Sequence, residues 1–227
     1  NFDYDKIENI IKAINNVKIL DIEKDTILNA NEIIYFKNDE KIITKGKTTA
    51  LVENKYNFES KDVTYLRKKS IFSSLKKSLL KDDNENIYEL DNFHYSLNKR
   101  LLKGKNVKIL SKVNSNSGDV EKIDEFFFSE GFFNLKNKSF IAKKTNVKVH
   151  KEIFGNNEND PRLYGSSSKG DKTKTIVNNG IFTSCKFNDS CPPWSIKSEQ
   201  IVHDKEKRDL IYKNAILRIY DVPVLYF

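Results

Sequence analysis

An all-β fold is predicted for this chain: repeated antiparallel hairpins that close into a jelly roll of two V-shaped facing sheets. Three observations predict it. Tyr4, Tyr35, Tyr65 and Tyr95 are evenly spaced, and each precedes a short polar turn. After each turn comes an apolar return strand. On either side of the turns apolar and polar residues alternate with period two, the pattern of a strand with one buried face.

The hairpins can be read in order. Tyr4 leads through a polar turn to Ile10 and Ile11, and Tyr35 leads through Lys37-Asn38-Asp39-Glu40-Lys41 to Ile42-Ile43. Tyr95 leads through Asn98-Lys99-Arg100 to Leu101-Leu102. The same grammar recurs without tyrosine at Phe133, where Lys136-Asn137-Lys138 precedes Phe140-Ile141, and at His203, where residues 204–208 precede Leu210-Ile211. Phe93, Tyr95 and Leu97 share one face while His94 and Ser96 take the other. Val17 with Ile19, Val107 with Ile109, and Val147 with Val149 alternate in the same way, in runs dominated by β-branched and aromatic residues. Gly46, Gly104 and Gly131 fall where strands bend or start. Residues 4–15 also fit helical spacing through Ile7, Ile10, Ile11 and Ile14, but agreement with the later hairpins outweighs that local period.

Hairpins of this kind cannot bury an apolar face alone, so they stack or fold into two facing sheets. The first and last strands are then open edges able to accept another strand. Residues 156–179, rich in Gly, Ser, Asn, Asp and Lys, interrupt the rhythm and read as an extended surface loop or a poorly ordered hairpin.

The formal charge of +8 and 38% hydrophobic content describe a chain able to bury a core and to meet anionic partners. No apolar run is long enough to span a membrane as a helix. The chain starts at Asn1 and contains no Met, which leads to the expectation of a processed piece whose targeting segment lies elsewhere. Two cysteines leave room for one disulfide.

Catalytic and cofactor chemistry finds no foothold. Residues 165–173 approach a phosphate-binding loop, but Asp171 stands between Gly170 and Lys172 and puts a carboxylate where phosphate belongs. Ser166 and Lys169 fit S-x-x-K without its partner motifs. Zinc on Cys185, Cys191 and His203 lacks a fourth protein ligand. Neither a nucleic-acid-binding motif nor a basic helix is present, so no nucleic-acid partner is expected. No cofactor, metal or enzymatic activity is expected either.

The C-terminal stretch carries the specific signal. Gly180-Ile181-Phe182-Thr183-Ser184-Cys185, Pro193-Trp194-Ser195-Ile196, Ile201-Val202-His203-Asp204-Lys205-Glu206-Lys207, Tyr212-Lys213-Asn214-Ala215 and Val222-Pro223-Val224-Leu225-Tyr226-Phe227 follow one another. In this order they closely resemble the segment that precedes the outer-membrane barrel in the LptD family of lipopolysaccharide-assembly proteins. Asp160-Pro161-Arg162-Leu163 looks like a family feature too, and the upstream hairpins resemble the OstA-like repeats of LptA, LptC and the LptD N-terminal domain. The resemblance divides the chain into OstA-like repeats over 1–184 and, over 185–227, final strands and a junction toward a barrel.

The resemblance implies lipopolysaccharide transport at the periplasmic face of a Gram-negative outer membrane. Each buried CH₂ of an acyl chain is worth about 0.8 kcal/mol, so an apolar groove must shield the lipid in water. Groove candidates are Phe93, Tyr95, Leu97, Val107, Ile109, Val147 and Val149. The implied partners are the lipid A part of lipopolysaccharide, an LptA-like bridge protein adding a strand at the edge carrying Val17 and Ile19, and an LptE-like lipoprotein acting through the barrel. A stand-alone LptA-like bridge or a structural β-repeat protein is the alternative. Cys185 matches the family position whose cysteine bonds to one in the barrel, whereas a local Cys185 to Cys191 bond would only staple a loop.

Overall fold

A computed structural model describes residues 1–113, 122–151, 158–186, 193–207 and 209–227. The described residues form seventeen strands and no α-helix. Every pairing described between them is antiparallel. The expectation of an all-β fold of repeated hairpins therefore holds. Contacts divide the chain into two units, Asn1–Lys105 and Asn106–Phe227.

In unit 1 the tyrosine spacing resolves into one continuous cross-strand ladder. Tyr4 on β1 (Phe2–Asp5) faces Ile11 on β2 (Ile10–Asp21). Ile11 faces Tyr35 on β3 (Thr26–Phe36), and Tyr35 faces Ile42 on β4 (Lys41–Val52). Ile42 continues to Tyr65 on β6 (Thr64–Leu66), Phe72 on β7 (Ile71–Ser74) and Tyr95 on β9 (Ile87–Ser96). Burial deepens along the row: Tyr4, Ile11 and Tyr35 are half-buried, and Ile42, Tyr65, Phe72 and Tyr95 are buried. Tyr65 and Phe72 stack at 4.2 Å with rings 3° apart, a pairing worth about 0.5–1.5 kcal/mol beyond the area it buries. The helical spacing of residues 4–15 loses to this ladder, because a helix would leave the edge of β3 uncovered over that length.

The long strands change partners in their middles. β4 pairs with β6 over Lys41, Ile42 and Ile43, then with β5 (Tyr56–Lys61) from Lys47 onward. β9 pairs with β8 (Ser78–Lys81) through Leu90 and with β7 from Phe93. Between these halves the backbone passes through left-handed residues: Asn15 and Asn16 in β2, Gly46 in β4, Asp62 after β5 and Asn92 in β9. Such residues reverse the pleat, so the same face of the strand stays inward on both sides of the bend. Gly46, at φ 77°, supplies this conformation without a Cβ to resist it. The result is two arms joined along a fold line, one carrying the tyrosine ladder and the other carrying Leu28, Ala50, Phe58, Leu80 and Tyr88. Phe58 on the second arm meets Phe93 at 5.6 Å and Tyr95 at 5.1 Å on the first. Small hydroxyls line the bend, with Thr44 Oγ1 2.7 Å from Thr48 Oγ1 and Ser60 Oγ 2.8 Å from Ser78 Oγ.

Unit 2 repeats the plan. It holds most of β10 (Leu101–Val113), then β11 (Lys122–Asn134), β12 (Ser139–Lys148), β13 (Arg162–Gly170), β14 (Lys174–Thr183), β15 (Trp194–Asp204), β16 (Asp209–Ile219) and β17 (Val222–Tyr226). Its bends carry Asn106, Lys144, Asn179 and Asn214 with positive φ. β15, β16 and β17 fall within the expected junction and continue this sheet.

Of the two readings of residues 156–179, the extended surface loop is corrected and a hairpin forms over residues 162–183. Residues 156 and 157 lie outside the described residues, but β13 and β14 are regular paired strands from Arg162 to Thr183. Their poor strand formers have packing reasons. A Cβ on Gly165 would sit 2.2 Å from Val177 Cγ1, and one on Gly180 2.5 Å from Ile201 Cδ1, so close packing excludes larger residues. Thr145 Oγ1 donates to Ser168 Oγ at 2.6 Å across β12 and β13. Asp171, which spoils the phosphate loop, anchors the turn: Oδ1 accepts from Thr173 N–H, Thr173 Oγ1 and Lys174 N–H. These bonds favour the carboxylate and lower its pKa to about 2.

Two outcomes are expected. Phe72→Ala lowers the unfolding free energy by about 3–5 kcal/mol, while Phe2→Ala at the exposed edge changes it by less than about 0.5 kcal/mol; equal effects in a denaturant titration would overturn the ladder as the core. By carboxyl NMR, Asp171 titrates near pH 2. Because its folded pKa lies below the ordinary aspartate value of 3.8, its contribution is complete above that value and is lost as pH falls toward 2. Titration near 4 would show that the turn does not hold the carboxylate.

Candidate functional site

The groove candidates fall into two groups. Phe93, Tyr95, Leu97 and Val107 are 0–5% exposed, and the first two are sealed by Phe58 from the facing arm. Val147 is 8% exposed, while Ile109 and Val149 are half-buried. Of the residues alternating with them, His94 is exposed and Ser96 and Lys108 are half-buried.

Val147 leads to the larger feature. It faces Phe126 on β11 and Leu163 on β13. Leu163 faces Phe182, Phe182 faces Ile196, Ile196 faces Leu217, and Leu217 faces Leu225. One apolar row thus crosses seven strands of unit 2. Except for Val147 its members keep solvent access: Phe126, Leu163, Phe182, Ile196 and Leu217 are half-buried and Leu225 is exposed. The sequence offered a signal for this row, because Phe182, Ile196 and Leu225 lie within the C-terminal motifs. What was missing was the register that aligns them.

Unit 1 has a smaller apolar slot beside its open edge. Ile19, Tyr35 and Ile42 form its wall, and Asp21, Glu23 and Arg67 stand at its rim. Arg67 Nε donates to Asp21 Oδ2 at 3.0 Å, Nη2 to Glu23 Oε2 at 2.7 Å and Nη1 to Glu40 Oε2 at 3.2 Å. Tyr65 hydroxyl also donates to Asp21 Oδ2, at 2.9 Å. The Asp21 hydrogen bond raises the pKa of Arg67, and burial followed by the same acceptor raises that of Tyr65. Asp21 and Glu23 belong to one arm and Tyr65 and Arg67 to the other, so this cluster ties the arm tips together. Arg100 and Glu53 form a second tie, with Nη2 2.9 Å from Oε2. Tyr95 hydroxyl, buried between the arms, has no hydrogen-bond partner among the described residues.

Val17 and Ile19 lie on β2 beyond the reach of β1, which pairs only with Ile10, Ile11, Lys12 and Ala13. Residues 17–21 pair with β3 on one side, and no described strand pairs with their other side. Both side chains are half-buried.

The remaining chemical candidates stay apart. His94 is exposed, His150 Nδ1 lies 2.8 Å from Asp124 Oδ1, and burial lowers the pKa of His203. Cys185 is a half-buried free thiol with Sγ 3.7 Å from the Trp194 carbonyl; Cys191 lies outside the described residues. Among the described residues no group of three His, Cys, Asp or Glu could hold a metal ion.

The tie between the arms gives a measurable expectation. A double-mutant cycle on Arg100→Ala and Glu53→Ala yields a coupling of about 0.2–1 kcal/mol, the range of partly exposed pairs. Zero coupling would remove Arg100 as a cross-arm tie.

No family model matches the chain. The chain is 38% identical over 58 residues to LPS-assembly protein LptD of Sodalis glossinidius, a match covering 26% of this chain and 7% of that protein. LptD of Yersinia enterocolitica gives the same identity and coverage. LptD of Yersinia pestis is 40% identical over 52 residues, covering 23% of this chain and 6% of that protein. Over about a quarter of its length, then, this all-β chain is similar in sequence to LPS-assembly protein LptD.

Proposed function

We propose that the chain is the periplasmic lipid-holding part of a lipopolysaccharide-assembly protein at the outer membrane, and that it acts as a conduit rather than an enzyme. The half-open apolar row from Phe126 through Val147, Leu163, Phe182 and Ile196 to Leu217 carries this reading. In an ordinary core such a row would be sealed, because each exposed apolar Å² costs about 25 cal/mol. An acyl chain laid along it covers the same surface. In this reading Val107, Ile109 and Val149 belong to the same lipid path in unit 2, and in unit 1 Phe93, Tyr95 and Leu97 meet lipid once the arms of that unit part. The similarity to LptD supports lipid A as the cargo.

In this reading the free edge of β2 at Val17 and Ile19 takes a strand from an LptA-like bridge protein by backbone pairing. Residues 185–227 lead toward a barrel that works with an LptE-like lipoprotein, and Cys185 pairs with a barrel cysteine.

Photo-crosslinkers placed in the full-length protein in cells test the conduit. Leu163, Phe182 and Ile196 should capture lipopolysaccharide, while Lys143 and Lys197, exposed and alternating with the row, should not. Equal capture from both sets would reject the inner row as the lipid path. For the edge, Val17→Pro and Ile19→Pro each remove a possible ladder donor. Variants that stay folded and still recover the bridge protein in a pull-down would reject this edge as the docking site.

A further inference from the structure

The partners of Arg67 are unequal. Asp21 is its fixed anchor: the side chain is 4% exposed and also accepts from the buried Tyr65 hydroxyl, so it has no freedom to leave. Glu23 is 75% exposed and reaches Nη2 from the tip of the facing arm. A surface carboxylate held in one geometry gives back much of its attraction in side-chain entropy. A phosphate carries more charge and more acceptor oxygens, two of which can accept side by side from the planar guanidinium. Glu40, 38% exposed at Nη1, lies on a neighbouring turn of the same arm. Beneath this rim lies the wall of Ile19, Tyr35 and Ile42. An anchored guanidinium with one solvent-exposed partner therefore stands over an apolar slot.

We propose that Arg67 binds the phosphate of an acylated lipid whose chain lies along Ile19, Tyr35 and Ile42, and that Glu23 takes the phosphate's place when the slot is empty. This rests on the lipid-holding reading above and names the residue that recognises the anionic end of the lipid. Glu23 thereby acts as an internal competitor, and its exchange for phosphate frees one of the ties between the arm tips.

The test uses the 227-residue chain with lysophosphatidic acid, the monoacylglycerol of the same acyl chain, and inorganic phosphate, each displacing a bound apolar dye below micellar concentration. Lysophosphatidic acid should bind about tenfold more tightly than the monoacylglycerol, and Arg67→Gln should abolish that preference. Glu23→Gln, an exposed change that leaves the Asp21 anchor intact, should tighten lysophosphatidic acid about threefold and leave the monoacylglycerol unchanged. A merely structural role for the ion pair would weaken both lipids instead. Inorganic phosphate at millimolar concentration should displace little dye. A preference that survives in folded Arg67→Gln, a Glu23→Gln change that leaves or lowers lysophosphatidic acid affinity, or phosphate acting as well as the lipid would each overturn the proposal. Equal binding of the two lipids to the unsubstituted chain would overturn the role of Arg67 alone, and binding of neither would overturn the lipid-holding reading with it.

Discussion

The left-handed residue in the middle of the long strands is the constraint on which the structure depends. An antiparallel strand alternates its faces, so a bend alone would turn the inner residues of one arm into outer residues of the other. Asn16, Gly46, Asn92, Asn106, Asn179 and Asn214 each take positive φ at such a bend and so supply the half-step that keeps the same face inward. With that half-step the residues before and after the bend face the same interior. Asparagine dominates these positions because its short polar side chain tolerates positive φ better than other residues with a Cβ.

The fold line imposes its own chemistry. Two arms converging at a bend leave little volume, so the inner positions there are Thr44, Thr48, Ser60, Ser78, Gly165, Ser168, Gly180, Ser198 and Ala215. Their hydroxyls bond one another or the backbone, as where Ser198 Oγ donates to Lys213 O at 2.6 Å, which avoids the cost of an orphaned buried polar atom. Farther from the bend the arms separate and large side chains fill the space. At the tips of unit 1 charge takes over, with Arg67 and Arg100 meeting carboxylates of the opposite arm.

The two units use this plan differently. Unit 1 is packed across its arms by Phe58, Phe93 and Tyr95 and tied at its tips, which makes a closed core. Unit 2 keeps a half-open apolar row along one arm. The proposed conduit role would draw on both properties: rigidity to hold a groove in shape, and open apolar surface to hold a lipid chain that would otherwise meet water.

By itself the sequence determined the fold class and the hairpins. Tyr4, Tyr35, Tyr65 and Tyr95 with their polar turns were legible because strand alternation and turn chemistry are local, whereas their alignment in one ladder came from the register of the pairs. The stretch now forming β13 and β14 was not legible, because its Gly and Ser residues signal a loop by propensity and reveal their purpose only beside Val177 and Ile201. Arg67 and Arg100 carried a faint signal, as arginines closely following tyrosines in a lysine-rich chain, but their carboxylate partners lie on hairpins far away in sequence. Which apolar residues are sealed and which stay open was decided by tertiary structure alone. Phe93 and Ile196 alternate in the same way along their strands, and only the distance to the facing arm separates a core residue from a wall.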